Sequence, residues 1–323
     1  MKPTNNFFAL HRLAPARQGD GVDGSILRHS KRNLTARDSQ DRVSAPSSPG
    51  AGEEREGERW IAEGSRSLGR MKKFDTALVT GASSGIGRAF ARALARKGTN
   101  LVLVARRRDR LERVATEIGT QSGVKVMVVP LDLSRQGSAV ELFETVTGQG
   151  HEIDLLVNNA GFGLFGNFAE QDREKIVEMI TLNVTTLTEL CHLFLAGMRE
   201  RRRGAIINVS SAGGFFSVPT FAVYTATKAY VTSFSEALSV ELAPEGIAVM
   251  ALCPGTTTTE FATVAGMGGS KDLPGLAMSP EKVVQIALSS LRRRKTTVIP
   301  GFSNRLAVWS HRLVPRAWMP WIA

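Results

Sequence analysis

Three side chains set the chemistry to look for. Residues 208–228 read Asn-Val-Ser-Ser-Ala-Gly-Gly-Phe-Phe-Ser-Val-Pro-Thr-Phe-Ala-Val-Tyr-Thr-Ala-Thr-Lys, which contains Ser211, Tyr224 and Lys228. A helix over 222–243 puts Tyr224 and Lys228 one turn apart on one face, and Ser211 ends a strand leading towards it. A phenol is a poor acid near neutral pH unless a nearby positive charge stabilises its phenolate, and Lys228 is placed to supply that charge. With the Ser211 hydroxyl polarising a carbonyl and Tyr224 donating the proton, the trio suits ketone reduction or the reverse oxidation. The spacing by itself favours a mere pair on a helix surface, so the reading needs a hydride source elsewhere in the chain.

The elements that must position these groups begin at residue 76. Apolar strands are predicted over 76–80, 101–105, 125–130, 154–158, 205–209, 247–253 and 296–300. Between them the 3.6-residue period predicts helices over 85–98, 108–119, 136–147, 172–202 and 222–243. Ser279 followed by Pro280 reads as an N-cap with proline at the first helical position, opening a helix that runs to about residue 294. Strands buried on both faces and alternating with helices predict the α/β class: a Rossmann-type, doubly wound parallel sheet in a single domain.

The first strand runs directly into a glycine-rich turn and then a helix. Residues 80–87 read Thr-Gly-Ala-Ser-Ser-Gly-Ile-Gly, with glycines at 81, 85 and 87 and with Ser83, Ser84 and Ile86 between them. Such glycines permit a tight turn and a close approach of backbone amides to a pyrophosphate, at a helix N-terminus whose dipole favours negative charge. The strand before and the helix after make this a dinucleotide site in context, which supplies the missing hydride donor.

Here the chain resembles the short-chain dehydrogenase/reductase family over about residues 75–300. The resemblance rests on the glycine turn at 80–87, on Asn-Asn-Ala-Gly at 158–161 and on the Tyr-x-x-x-Lys pair. It implies catalysis by Asn183, Ser211, Tyr224 and Lys228. Ser211 is preferred to Ser210 because it lies 13 residues before Tyr224 (224 − 211), the family spacing. Asn183 matches a position whose helix distortion holds a water that relays protons to the lysine. The resemblance further implies cofactor contacts from Asn159, Ala160 and Gly161, from Asp132 and Leu133 beside the adenine, and from Pro254, Gly255 and Thr259 beside the nicotinamide. Bland readings accompany these: Asn158 and Asn183 as ordinary hydrogen bonders, 254–255 as a turn.

The end of the second predicted strand decides the expected cofactor. An acidic residue there would bind a ribose 2′-hydroxyl and repel a 2′-phosphate, but Ala105 is followed by Arg106, Arg107 and Arg108. Guanidinium groups fit a phosphate, so NADP(H) is expected, with Arg106 the main contact and Ser84 or Arg107 assisting.

Composition narrows the remaining classes. Two widely separated cysteines, Cys191 and Cys253, exclude a disulfide framework and suit a reducing, cytoplasmic compartment. Five scattered histidines form no ligand pair, so no metal is expected. The formal charge of +11 fits an anionic partner, but no nucleic-acid-binding signature accompanies it. No uninterrupted apolar run reaches the length of a membrane span, so a soluble protein is expected.

Residues 1–70 are rich in Arg, Ser, Gly, Asp and Glu without an apolar period, and read as a disordered extension or, with Met71 as the natural start, a mis-assigned one. The catalytic domain is placed at 71–301, and an amphipathic tail at 302–323. Glycines and apolar residues across 256–279 suggest a mobile lid, and Phe215, Phe216, Val218, Pro219 and Phe221 add apolar surface near the catalytic group. A hydrophobic ketone or a 3-oxoacyl chain, free or on an acyl carrier, is the expected substrate, and a homodimer or homotetramer the expected assembly. The tail mixes tryptophan with arginine and invites a peripheral membrane contact, a subunit interface or a cover over the substrate. The alternatives are a non-catalytic NADP-binding regulator, a dehydrogenase of small hydroxy acids, and a sugar-nucleotide epimerase or dehydratase, which would carry another glycine spacing and a larger C-terminal domain.

Overall fold

The computed structural model describes residues 73–267 and 277–310. The expectations for 1–70, for Met71, for most of the lid beyond 267 and for the tail beyond 310 lie outside the described residues.

Seven strands form one parallel sheet in the order β3-β2-β1-β4-β5-β6-β7. They are β1 Thr76–Thr80, β2 Asn100–Ala105, β3 Val126–Pro130, β4 Leu155–Asn158, β5 Gly204–Val209, β6 Ile247–Leu252 and β7 Thr297–Val298. Their apolar runs are continuous because both faces are covered. Ala77, Val79, Leu101, Leu103, Ile207 and Met250 face one core, while the alternate residues Leu78, Val102, Val104, Leu156, Ile206 and Val249 face the other.

The helices divide between those faces. The first core receives α1 (Gly85–Ala95), α2 (Arg108–Ser122) and, after the later strands, the helix Pro280–Leu291; the second receives α3 (Ser138–Gly148). The long helix expected over 172–202 is divided into α4 (Arg173–Ile180), a π-helical turn (Thr181–Thr186) and α5 (Leu187–Glu200). By length and composition this stretch could cross a membrane, but Leu187, Leu190, Cys191, Phe194 and Met198 of α5 are buried against the sheet. Next come α6 (Ala222–Leu242), the short α7 (Phe261–Val264), α8 (Pro280–Leu291) and α9 (Phe302–Ser310).

Several helix ends differ from expectation because caps outweigh the apolar period. Helix α2 runs past Gly119 and stops where Gly123 takes φ 63°, a left-handed conformation that suits glycine. Helix α1 ends near Ala95 rather than at Gly98, and α8 near Leu291 rather than at 294. Strand β7 is only two residues long. Ser279 caps α8 as expected, accepting a hydrogen bond from Lys282 N at 3.3 Å with Pro280 in the first turn. Helix α9 occupies the start of the expected tail and exposes Phe302, Leu306 and Trp309 while burying Val308.

The strand order reverses between β1 and β4, and a cleft opens at the C-terminal ends of the strands there. It encloses about 670 Å³.

Candidate active site

The cleft begins at the glycine turn. Gly81 and Gly85 have φ of 66° and 51°, left-handed values that the sharp exit from β1 requires. Gly87 is demanded by packing instead: a β-carbon there would collide with the Gly81 carbonyl and lie 2.6 Å from Asn159 Nδ2. Ser84 stands at the N-cap of α1 in an extended conformation and makes no side-chain cap hydrogen bond. The first-turn N–H groups of α1 therefore retain the capacity to bind an anion entering the cleft, as a cofactor pyrophosphate requires. Ser83, Ile86, Asn159, Ala160 and Gly161 line the same cleft.

Thr80, the first residue of the glycine motif and not among the expected site residues, ties this turn to β4. Its Oγ1 accepts from the N–H groups of Asn159 and Ala160, each at 2.9 Å, and Asn159 Nδ2 donates to the Thr80 carbonyl at 2.9 Å. A threonine at the head of the glycine motif was the available signal. Asn158 points the other way, into a buried network in which its Nδ2 donates to Asn208 Oδ1 at 2.9 Å.

The catalytic candidates converge on the opposite side of the cleft. Ser211 follows β5 and caps the next turn, accepting from Gly213 N at 3.0 Å, and its hydroxyl is near enough to the Tyr224 phenol to lower that group's pKa. Ser210 differs: it is buried, donates to the Lys228 carbonyl at 2.7 Å and pairs with Thr232 at 2.8 Å. Its hydroxyl is thus committed to anchoring α6. Lys228 is buried, its Nζ donates to the Val209 carbonyl at 2.9 Å, and it lies 5.8 Å from the centre of the Tyr224 ring.

The electrostatics depart from expectation in one respect. Burial pushes the Tyr224 phenol up to about 12, opposed by the nearby Ser211 hydroxyl. Lys228 does not lower it in this arrangement; burial instead brings Lys228 down to about 8. Desolvation disfavours the charged form of each group and is the largest cause of both shifts. Near pH 7 the phenol is therefore protonated and able to donate.

Asn183 sits in the π-helical turn and is fully buried. Its Oδ1 accepts from Phe162 N at 3.2 Å, and its Nδ2 donates to the Phe162 carbonyl at 3.0 Å and to Thr227 Oγ1 at 3.1 Å. The extra residue of the π turn aims this side chain between the loop after β4 and α6. Gly161 and Gly163 keep the loop close: a β-carbon on Gly161 would lie 2.9 Å from Asn183 Oδ1, and one on Gly163 would lie 3.2 Å from the Tyr224 ring.

At the far end of the cleft, Asp132 accepts from Ser134 N and Oγ and lies 3.8 Å from Arg106. Burial raises its pKa, but the Ser134 hydrogen bonds and the charges of Arg106 and Arg135 together bring it below the usual value. Leu133 is buried beside it. Arg106 and Arg107 both line the cleft, but Arg107 is the one in contact with the glycine turn, donating to Ser83 Oγ at 3.4 Å and Ser84 Oγ at 3.3 Å. Pro254, Gly255 and Thr259 line the segment after β6. Two residues there were not anticipated as site residues: Glu260, paired with Arg107, and Phe261, whose ring centre lies 5.2 Å from that of Tyr224. With Phe221 at 5.6 Å on another side, Tyr224 sits among aromatic rings. Val218, Ala262, Val264 and Met267 continue the apolar lining.

Comparison with known proteins agrees with this geometry. A duck (Anas platyrhynchos) protein named very-long-chain 3-oxoacyl-CoA reductase is 32% identical over 253 residues, covering 76% of this chain and 74% of its own length. A short-chain dehydrogenase from Sphingobium yanoikuyae, solved in complex with NADPH, is 36% identical with a TM-score of 0.67, covering 74% of this chain and 93% of that one. A bulky-bulky ketone specific alcohol dehydrogenase from Comamonas testosteroni is 33% identical with a TM-score of 0.64, covering 76% and 97% of the two chains. The short chain dehydrogenase family model matches residues 75–267, and the chain belongs to that family, whose members are oxidoreductases acting on CH–OH groups with a nicotinamide cofactor.

Proposed function

We propose that the protein is an NADPH-dependent reductase of hydrophobic ketones, with 3-oxoacyl thioesters as its preferred class. The observation that carries this reading is the convergence of Ser211, a protonated Tyr224 and Lys228 on one cleft with the uncapped N-terminus of α1. When bound, NADPH supplies the hydride. Ser211 holds the carbonyl oxygen and Tyr224 gives it a proton, acting as general acid. Lys228, charged over most of the neutral range, compensates the negative charge left on the phenol and holds the nicotinamide ribose. Asn183 positions the loop after β4 and α6 around that lysine and supports proton resupply.

Direction and specificity follow from the same features. A phenol pushed up to about 12 is proton-loaded at neutral pH, which favours reduction; oxidation needs its anion and hence alkaline conditions. Arg106 and Arg107 at the end of β2 support a 2′-phosphate and therefore NADP(H), and the NADPH complex of the Sphingobium relative agrees. The apolar lining from Val218, Phe221, Phe261 and Met267 supports a long acyl chain, in keeping with the name of the duck relative. The thioester is carried by coenzyme A or by an acyl carrier protein. The buried free thiols of Cys191 and Cys253 suit a cytoplasmic setting. Exposed Val177, Ile180 and Tyr230 support a homodimer or homotetramer.

The test is NADPH absorbance with a ladder of 3-oxoacyl-CoA chain lengths, set beside simple ketones and small hydroxy acids. Catalytic efficiency is expected to rise with acyl length and to favour NADPH over NADH. Turnover confined to small hydroxy acids, or a preference for NADH, would reject the assignment.

A further inference from the structure

The end of the cleft that bears Arg107 already contains an anion, and the chain itself provides it. Arg107 donates from Nη1 and Nη2 to Glu260 Oε2, each at 3.1 Å, while Nη2 also reaches Ser83 Oγ and Ser84 Oγ. Arg110 Nη1 donates to the other carboxylate oxygen, Oε1, at 2.6 Å. Each oxygen of Glu260 is thus held by a different guanidinium, beside two hydroxyls of the glycine turn. Two guanidiniums and two hydroxyls are also the donors that a phosphate monoester takes. Glu260 comes from the segment after β6, 153 residues along the chain from Arg107, so the pair joins two separate walls of one cleft.

We propose that Glu260 is a resident anion occupying, in the free protein, the position of the cofactor's 2′-phosphate, which must displace it to engage Arg107. This rests on the NADP(H) reading above. Glu260 then acts as a specificity determinant that lowers affinity for the phosphorylated nucleotide without touching the reacting atoms. Its carboxylate and the Arg107 guanidinium are both substantially exposed, so the competition is screened and its size modest. Glu260 stands at the N-cap position of the short helix bearing Phe261 but makes no side-chain cap hydrogen bond there, so its carboxylate can leave Arg107 without uncapping that helix.

The experiment is isothermal titration of the full-length protein with 2′,5′-ADP and with 5′-AMP, which differ by one phosphate. It compares wild type, Glu260→Gln, Arg107→Met and the double variant. Wild type is expected to bind 2′,5′-ADP more tightly than 5′-AMP. Glu260→Gln is expected to tighten 2′,5′-ADP by about two- to fivefold, the range of an exposed ion pair, with 5′-AMP unchanged. That gain should vanish when Arg107→Met is also present. If wild type distinguishes the two ligands but Glu260→Gln leaves 2′,5′-ADP binding unchanged or weaker, or tightens both ligands equally, the Glu260 proposal is overturned and the NADP(H) reading stands. If wild type does not distinguish the ligands, both fall.

Discussion

The two ends of the cleft solve opposite problems. Around Tyr224 and Lys228 polar groups are buried, and desolvation dominates, moving the phenol up to about 12 and the ammonium down to about 8. Around Arg106 and Arg107 the charges are exposed and answered by neighbours of opposite sign, Asp132 and Glu260. Removal from water supplies the chemistry, because it places proton affinities where a small rearrangement alters them. Solvated charge supplies selection, because screened ion pairs exchange partners at little cost. Changes at the buried end should therefore produce large, salt-insensitive effects, and changes at the exposed end smaller, salt-sensitive ones.

The largest stability effect is expected from Lys228. Its folded pKa lies below the unfolded value of 10.5, so between about pH 8 and 10.5 the unfolded chain binds more protons and stability rises with pH. The gain amounts to about 3 kcal/mol at most. Tyr224 acts in the opposite sense above pH 10.0, where the folded phenol retains a proton that the unfolded one has lost. Thermal denaturation of the cofactor-free protein across this range should show a rise that Lys228→Met removes. An identical pH profile in the variant would show that burial does not govern this lysine.

Next in size is Gly87→Ala. The added methyl meets the Gly81 carbonyl, and the turn must shift. A cost of about 2 kcal/mol should appear as roughly 30-fold weaker nucleotide binding, measured by fluorescence titration, with little salt dependence. Wild-type affinity would mean that the glycine turn is not the phosphate cradle.

The smallest of these effects belongs to the exposed end. Replacing Arg106 and Arg107 together by Met should reduce the preference for NADPH over NADH by about tenfold or somewhat more, given what charged hydrogen bonds contribute. The loss should shrink as salt is raised from about 0.05 to 0.5 M, because wild type itself loses the contribution. A salt-independent loss would place these arginines in a more buried role than their exposure indicates.

What was legible in the sequence follows the same division. The strands and the glycine turn were legible because burial on both faces forces continuous apolar runs, while left-handed φ at 81 and 85 and close packing at 87 call for glycine. Thr80 is legible as the head of the glycine motif, but its tie to Asn159 and Ala160 is not, because those partners lie 79 and 80 residues away. The break in the helix at 181–186 leaves no mark in a 3.6-residue period; it was foreseen only through resemblance, which attached a distortion to Asn183. Arg106 was favoured over Arg107 as the main anion contact, yet Arg107 reaches the glycine turn, since the first residues after β2 turn towards α2. Glu260 could not be found because its partners Arg107 and Arg110 lie far away in sequence and the stretch around it reads as a mobile lid. The expected lowering of the Tyr224 pKa by Lys228 failed for a related reason: spacing reports that two groups are near, but not how dry their surroundings are.

The central claim is that Tyr224 is the proton donor of a hydride-transfer enzyme and not a structural part of the nucleotide site. Tyr224→Phe keeps the ring among Phe221 and Phe261 and removes only the hydroxyl. NADPH fluorescence titration and single-turnover NADPH oxidation with a 3-oxoacyl-CoA should therefore be measured on the same preparation. The expected result is cofactor affinity within about twofold of wild type and a chemical step slowed by about a thousandfold or more. A variant that binds NADPH and reduces the substrate at the wild-type rate would contradict the assignment.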